Sequence, residues 1–392
     1  MSAQDCSTRL RLFHGPEAAE LTLLCHPDGS AHDTAAQAHA AYRALATTLR
    51  GNAASCAHLT GEALFVRDVR DVPSILSART RILDELGATA DAPLPGFIGQ
   101  PPADGAAFVL LANAVVPHQG TTWSVRNVGA DVRCRCAGCA RAGARVVRLG
   151  AQTSLQTTTL HGTGDDAYAQ TLEAFRSGER LLARCDLSFG DVVRAWIQLR
   201  DIDRDYDALN AARRDFFADR GIALRPASTG VGGTPFPDEH LVALSLHAVR
   251  RERPLDVTRM STPLLNEAWS YGADFSRGLR VVEANRVTLH VSGTASIDEH
   301  GRTVHVGDFP AQAARMLDNI ESLLAGHGAG HASLASAVTY LKHARDAAEL
   351  HRIYAQRAFD VPCAVVEADL CRPELLCETE VVAVLPPEAA QA

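Results

Sequence analysis

Apolar positions in this chain follow two rhythms, a period of three to four and a period of two, and the rhythms alternate in a fixed order. Ala167–Ala183 carries Leu172, Phe175, Leu181 and Leu182 on one side, which predicts an amphipathic helix. Val193–Leu199 follows as a strand, Tyr206–Phe217 as a second helix and Leu241–Val249 as a closing strand. The same order returns as a helix over Phe309–Leu324, a strand over Ala337–Leu341 and a helix over Ala347–Phe359. Final strands follow at Cys363–Asp369 and Leu376–Val384. At an offset of 142, Gln170 falls on Gln312, Leu182 on Leu324, Leu199 on Leu341, Arg200 on Lys342 and Phe217 on Phe359, without a gap. Toward the end the offset drops to 135, and Leu241–Val249 lies on Leu376–Val384. Ala243 then falls on Glu378. One supersecondary unit is written twice, and only the second copy carries a carboxylate at that strand position.

The remaining pattern is less regular. Leu10–His14 and Glu20–Cys25 read as strands, Asp33–Leu49 and Asp71–Leu86 as helices, and Phe108–Val116 as a buried strand. These elements suit a third copy of the unit, but no alignment to the other two is evident. Three regions are therefore expected: residues 1–150, 151–253 and 254–392, with Pro254, Pro263 and the polar residues between them as the linker joining the copies. Arg286–Ser292 alternates as a strand that continues through Gly293–Ile297, and Asp298–Gly301 is a hairpin turn. The glycine-rich run Arg225–Gly233 lacks the lysine and spacing of a phosphate loop and is expected to be a turn. Strands and helices in this order predict an α+β layer fold, with ligand clefts between neighbouring copies.

Composition narrows the function classes. At 392 residues the chain is long for one core, and two or three domains are expected. A net charge of −8 and a pI near 6.0 disfavour nucleic acid as a partner. No apolar run has the length of a membrane span, and Met1–Cys6 lacks the basic and apolar regions of a signal peptide, so a cytoplasmic protein without membrane contact is expected. The ten cysteines are then reduced thiols. Cys134, Cys136 and Cys139 stand close enough to offer thiolates to zinc, but no fourth ligand has an obvious spacing; His118 is the nearest upstream candidate. Ordinary reduced thiols are the plainer reading, and neither a metal nor a cofactor is assigned.

Polar residues gather on elements of the second copy that should be half buried. Tyr340, Lys342 and Arg345 cluster at one strand end, Glu378 and Glu380 share a face of the last strand, and Tyr271 and Arg277 lie upstream. Two or three cations with one acid suit a dicarboxylate substrate. Arginine forks bind carboxylates bidentately, and a desolvated glutamate is raised toward neutrality and becomes a general acid. The plain alternatives are solvated strand ends for Lys342 and Arg345, and a salt bridge or solvent exposure for Glu380.

These residues carry a resemblance. Tyr271–Arg277, Val291–Ile297, Tyr340–Lys342 and Cys371–Glu378, together with the final strand pair, resemble the chorismatases of the YjgF/RidA-like superfamily, over roughly 105–386. The resemblance implies two YjgF/RidA-like (chorismate-mutase-like) units packed as a pseudo-trimer with a divergent N-terminal region. Small imine-deaminating members of the superfamily hold their substrate with an arginine that Cys363 replaces here, which disfavours that activity.

What the family implies is release of pyruvate from chorismate without a cofactor. Glu378 would protonate the enolpyruvyl methylene. Arg345, Arg277 and Lys342 would clamp the carboxylates, and Tyr271 and Tyr340 would position the ring. In the branch that forms 3-hydroxybenzoate, with some members also yielding 4-hydroxybenzoate, a cysteine stands seven residues before the acid. That residue here is Cys371, and Gly293 is a companion small residue lining the pocket. A hydrolytic branch, giving a dihydroxycyclohexadiene carboxylate, and a non-catalytic metabolite-binding protein are the alternatives. A buried small apolar side chain is the plain alternative for Cys371. The fused copies suit a monomer, but a homo-oligomer is equally open.

Overall fold

The computed structural model describes residues 6–29, 33–88, 92–131, 134–251 and 255–387, and of Tyr271 only the backbone. Pro254, in the expected linker, lies outside the described residues. The first unit contains β1 (Cys6–His14), β2 (Ala18–Pro27), α1 (Thr34–Gly51), β3 (Leu59–Val66), α2 (Val72–Glu85), β4 (Gly96–Gly99) and β5 (Phe108–Pro117). The middle unit contains β6 (Trp123–Gly129), β7 (Gly143–Leu149), β8 (Gln152–Thr157), β9 (Leu160–His161), α3 (Ala167–Ala183), β10 (Val192–Leu199), α4 (Ile202–Asp219), β11 (Ala227–Gly232) and β12 (Val242–Arg251). The third contains β13 (Asp256–Arg259), β14 (Gly278–Val282), β15 (Val287–Ala295), α5 (Phe309–Ala325), β16 (Leu334–Leu341), α6 (Ala347–Gln356), β17 (Cys363–Glu367) and β18 (Cys377–Leu385).

Each unit folds the same way. Its last strand lies mid-sheet, antiparallel to the strand between the two helices, and that strand runs parallel to the strand after the second helix: β3 and β4, β10 and β11, β16 and β17. Two helices cover one face of each sheet, and each sheet–helix layer encloses its own apolar core. The N-terminal third is thus a full copy. The division expected at residue 150 falls in the hairpin between β7 and β8, because β6 and β7 continue the middle sheet outward from β8.

The polar framework explains why the copies fold alike. Asp33, Asp166 and Asp308 cap α1, α3 and α5 by accepting from backbone N–H groups in the first turn. Four residues after each cap, Gln37, Gln170 and Gln312 accept from the backbone N–H of Ala107, Leu241 and Leu376, which fixes the helix to the entrance of the last strand. At these buried sites an unmade hydrogen bond costs about 1–3 kcal/mol.

The three sheets close a ring within one chain. Short bridges join Gly99 to Thr234, Pro102 to Val366 and Ala227 to Ser276, one at each junction between units. A cavity of about 260 Å³ lies at the centre, with Glu20, Trp196, His247 and Tyr340 among its lining residues. The glycine-rich run expected as a turn is strand β11, parallel to β10. Its Gly232 permits the Asp369 backbone of the third unit to approach, since a Cβ there would lie 3.0 Å from the Asp369 nitrogen and oxygen.

Candidate functional site

One cleft lies between the middle and third units. Its walls include Tyr206 and Arg213 from α4, Ser228 and Gly230 from β11, and Phe275, Arg277, Gly293, Cys371, Arg372 and Glu378 from the third unit. Glu378 stands on β18 opposite Ala295 of β15 and Tyr340 of β16, and is 5% exposed. The pairing of β15 with β18 shifts between Val291 and Thr294, a bulge of the kind that redirects backbone beside functional sites. There the Gly293 N–H donates to Thr229 Oγ1 of the middle unit at 3.0 Å, and Ser292 Oγ accepts from the Ser228 N–H at 2.8 Å. Gly293 also leaves room for the acid, because a Cβ at that position would overlap the Glu378 carboxylate.

Burial pushes the Glu378 carboxyl up from 4.5 to about 8; the neighbouring Glu380 charge adds to the rise, and Arg277, Arg194 and Arg372 oppose it. The carboxyl is therefore protonated at neutral pH. Glu380 is a buried, salt-bridged residue. Its Oε2 accepts from Arg194 at 2.7 Å, its Oε1 from Trp196 Nε1 at 2.7 Å, and the Tyr340 hydroxyl hydrogen-bonds it as well.

Three guanidinium groups line the cleft. Arg277 donates from Nε to the Asn266 carbonyl at 2.9 Å, and Arg213 to Asn210 Oδ1 at 2.6 Å. Both lie over the ring of Phe275, at 5.7 and 5.3 Å from its centroid, so one aromatic spaces two cations from different units. Arg372 donates to the Gly301 carbonyl at 2.7 Å. Burial pushes the Cys371 thiol up to about 12, with the Glu378 charge adding to it, while a hydrogen bond with Tyr206 opposes the rise.

Of the residues singled out in the sequence, Glu378, Cys371, Arg277 and Gly293 meet in this cleft. Tyr340 is buried beside it and faces the central cavity. Lys342 and Arg345 are absent from the cleft walls. The Lys342 ammonium donates to the Pro373 carbonyl at 2.6 Å, and Arg345 is exposed on the turn before α6. The reason is topological: the wall opposite Glu378 comes from α4 and β11 of the neighbouring unit, not from the strand–helix turn of its own unit. The side chain of Tyr271 lies outside the described residues. Arg213, Arg372 and Phe275 were not singled out. Repeat comparison carries a signal for the first, since at the offset of 142 Arg213 falls on Ala355, just as Arg194 falls on Ser336.

Residues 272–385 match the family described as Endoribonuclease L-PSP. A RutC family protein of Sulfurisphaera tokodaii is 31% identical over 85 residues, covering 22% of this chain and 68% of that protein. The chain belongs to this RidA-like, L-PSP superfamily. Within it the chain is chorismatase-like. A chorismatase of Streptomyces rapamycinicus is 30% identical over 221 residues, which span 50% of this chain and 64%, just under two thirds, of that relative. A crystal structure of a chorismatase shares the fold at a TM-score of 0.58 and 20% identity, covering 83% of this chain and 93% of that one. Among the described residues no helix is long and apolar enough to cross a membrane.

Proposed function

We propose that the cleft around Glu378 binds chorismate and converts it to 3-hydroxybenzoate and pyruvate. The observation that carries this reading is a buried carboxyl with its pKa raised to about 8, set among Arg213, Arg277 and Arg372. A neutral acid within a cationic wall suits a substrate with two carboxylates and a carbon atom to be protonated. The similarity to a chorismatase over half the chain supports the same substrate.

The arginines hold the two carboxylates and fix the enolpyruvyl group against Glu378. Glu378 gives its proton to the terminal methylene, which becomes the methyl of pyruvate, and positive charge develops on the ether carbon. The ring hydroxyl oxygen of the substrate adds to that carbon and gives up its proton. The bond from that carbon to the original ether oxygen breaks, leaving that oxygen on the ring as the hydroxyl. The bond between the ring and the added oxygen then breaks with its electron pair on that oxygen, which becomes the keto oxygen of pyruvate. The ring loses the proton that restores aromaticity, so no net water is consumed. The Glu378 carboxylate, left beside Arg277 and Arg372, is reprotonated from solvent. Cys371, seven residues before the acid, lines the cleft and steers the intermediate toward 3-hydroxybenzoate rather than the dihydrodiol.

Chromatography and mass analysis of the products from chorismate test this reading, with the wild type beside Cys371→Ala. Pyruvate with 3-hydroxybenzoate from the wild type, and a shift toward dihydrodiol in the variant, are expected. Dihydrodiol from the wild type would overturn the aromatising outcome and the role of Cys371.

A further inference from the structure

The connection between β6 and β7 carries Cys134, Cys136 and Cys139, and the fold brings to them His240, which lies 101 residues beyond Cys139 at the entrance to β12. His240 Nε2 lies 3.3 Å from Cys136 Sγ, 3.7 Å from Cys139 Sγ and 4.0 Å from Cys134 Sγ. All four donor atoms lie within 4.8 Å of one another. A tetrahedral zinc ion, with Zn–S near 2.3 Å and Zn–N near 2.05 Å, sets sulfur and nitrogen about 3.6 Å apart. The three observed separations bracket that value.

We propose that Cys134, Cys136, Cys139 and His240 bind one zinc ion as a closed structural site. Three thiolates and one imidazole complete a tetrahedron and leave no position for water or substrate, which separates this site from the chemistry at Glu378.

The surroundings are built for such a site. The backbone N–H of Cys136 donates to Cys134 Sγ and that of Cys139 to Cys136 Sγ, both at 3.4 Å, which stabilises thiolate charge. The His240 ring hydrogen-bonds the Gly162 backbone and stacks on His161 at 4.4 Å with an interplanar angle of 9°. A second partner of this kind fixes the orientation of a ligating histidine. Gly138 lets the two loops meet, since a Cβ there would run into the Phe236 carbonyl. His118, the nearest upstream candidate for a fourth ligand in the sequence, instead hydrogen-bonds the Gly15 carbonyl at 3.0 Å.

The ion would tie the β6–β7 connection to the segment that docks the middle unit on the first. In that segment Thr234 exchanges backbone hydrogen bonds with Gly99, and Phe236 packs edge-on against Phe97 at 5.9 Å. Zinc therefore braces the junction between the first and middle units.

Elemental analysis of the full-length protein, purified under reducing conditions without chelator, tests the site. One zinc per chain is expected. It should be released by an organomercurial thiol reagent, lost in Cys136→Ser and in His240→Ala, and retained in His118→Ala. Cobalt(II) added to the stripped, reduced wild type should give the ligand-field bands of a tetrahedral thiolate site, a readout that stands even where a cysteine variant misfolds. A wild-type protein that carries no zinc and takes up neither zinc nor cobalt would overturn the proposal. So would zinc content that survives in Cys136→Ser and His240→Ala together.

Discussion

Glu378→Gln isolates the ionisation on which the proposed chemistry depends. Glutamine keeps the volume and polarity of the acid but cannot ionise, so any pH dependence it removes belongs to Glu378. The folded pKa lies above the unfolded one, so the folded state holds an extra proton between them, and stability falls as pH rises through that window. With the carboxyl raised from 4.5 to about 8, at about 1.36 kcal/mol per pH unit, full ionisation costs about 5 kcal/mol. About 2 kcal/mol of that falls between pH 6.5 and 8. The buried imidazoles His247 and His290 are depressed below their usual value by burial, so they act on the acid side of this range, and they cancel in the comparison. Urea unfolding of both proteins at a series of pH values from 6.5 to 9.5 reads the effect. The variant should gain on the wild type by about 2 kcal/mol from pH 6.5 to 8 and lead above it. Parallel curves would mean that Glu378 is already ionised at neutral pH, and the acid assignment would fail.

Further perturbations separate the parts of the cleft. Gly293→Ala should abolish pyruvate release and cost about 1–3 kcal/mol, because its Cβ would occupy space taken by the Glu378 carboxylate; kinetics and a melting curve read both. Arg213→Lys removes the guanidinium fork and should raise KM for chorismate about 10- to 100-fold with the fold intact, the loss of one charge-assisted hydrogen bond. Arg194→Ala leaves Glu380 buried without its guanidinium and should destabilise by about 3–5 kcal/mol in denaturant titration. Arg345→Ala, on an exposed turn, should change stability by no more than about 0.5 kcal/mol and leave turnover unaltered.

The repeat was legible because it rests on apolar spacing that survives divergence. The offset of 142 that relates Leu199 to Leu341 also relates α3 to α5 and β10 to β16, end to end. The first copy was legible as a set of elements but not as an alignment, because its signature is polar. An offset of 133 places Asp33 on Asp166, Gln37 on Gln170 and β3 on β10 without a gap. Aspartate caps and glutamine latches carry that match, rather than the hydrophobic pattern. At the equivalent strand position the three copies hold Val109, Ala243 and Glu378, all buried, so a single copy places a carboxyl there.

Within the site, residues of the third unit were readable in part, Arg372 and Phe275 being the exceptions, and residues across the junction were not. Glu378, Gly293, Arg277 and Cys371 share one unit, while Arg213 and Tyr206 reach the same cleft from α4 of its neighbour. Lys342 and Arg345 follow β16 closely in sequence but are not among the residues that line the cleft. His240 illustrates the same limit, since no local spacing links it to a cysteine cluster 101 residues before it.

The most direct measurement is the rate of pyruvate release from chorismate at pH 7 by the wild type and by Glu378→Gln, with folding and chorismate binding checked in both. The wild type should release one pyruvate per chorismate, and the variant should bind the substrate but turn over at least about 100-fold more slowly, the usual worth of a positioned general acid. Absence of pyruvate from the wild type, or a variant as fast as the wild type, would contradict the account.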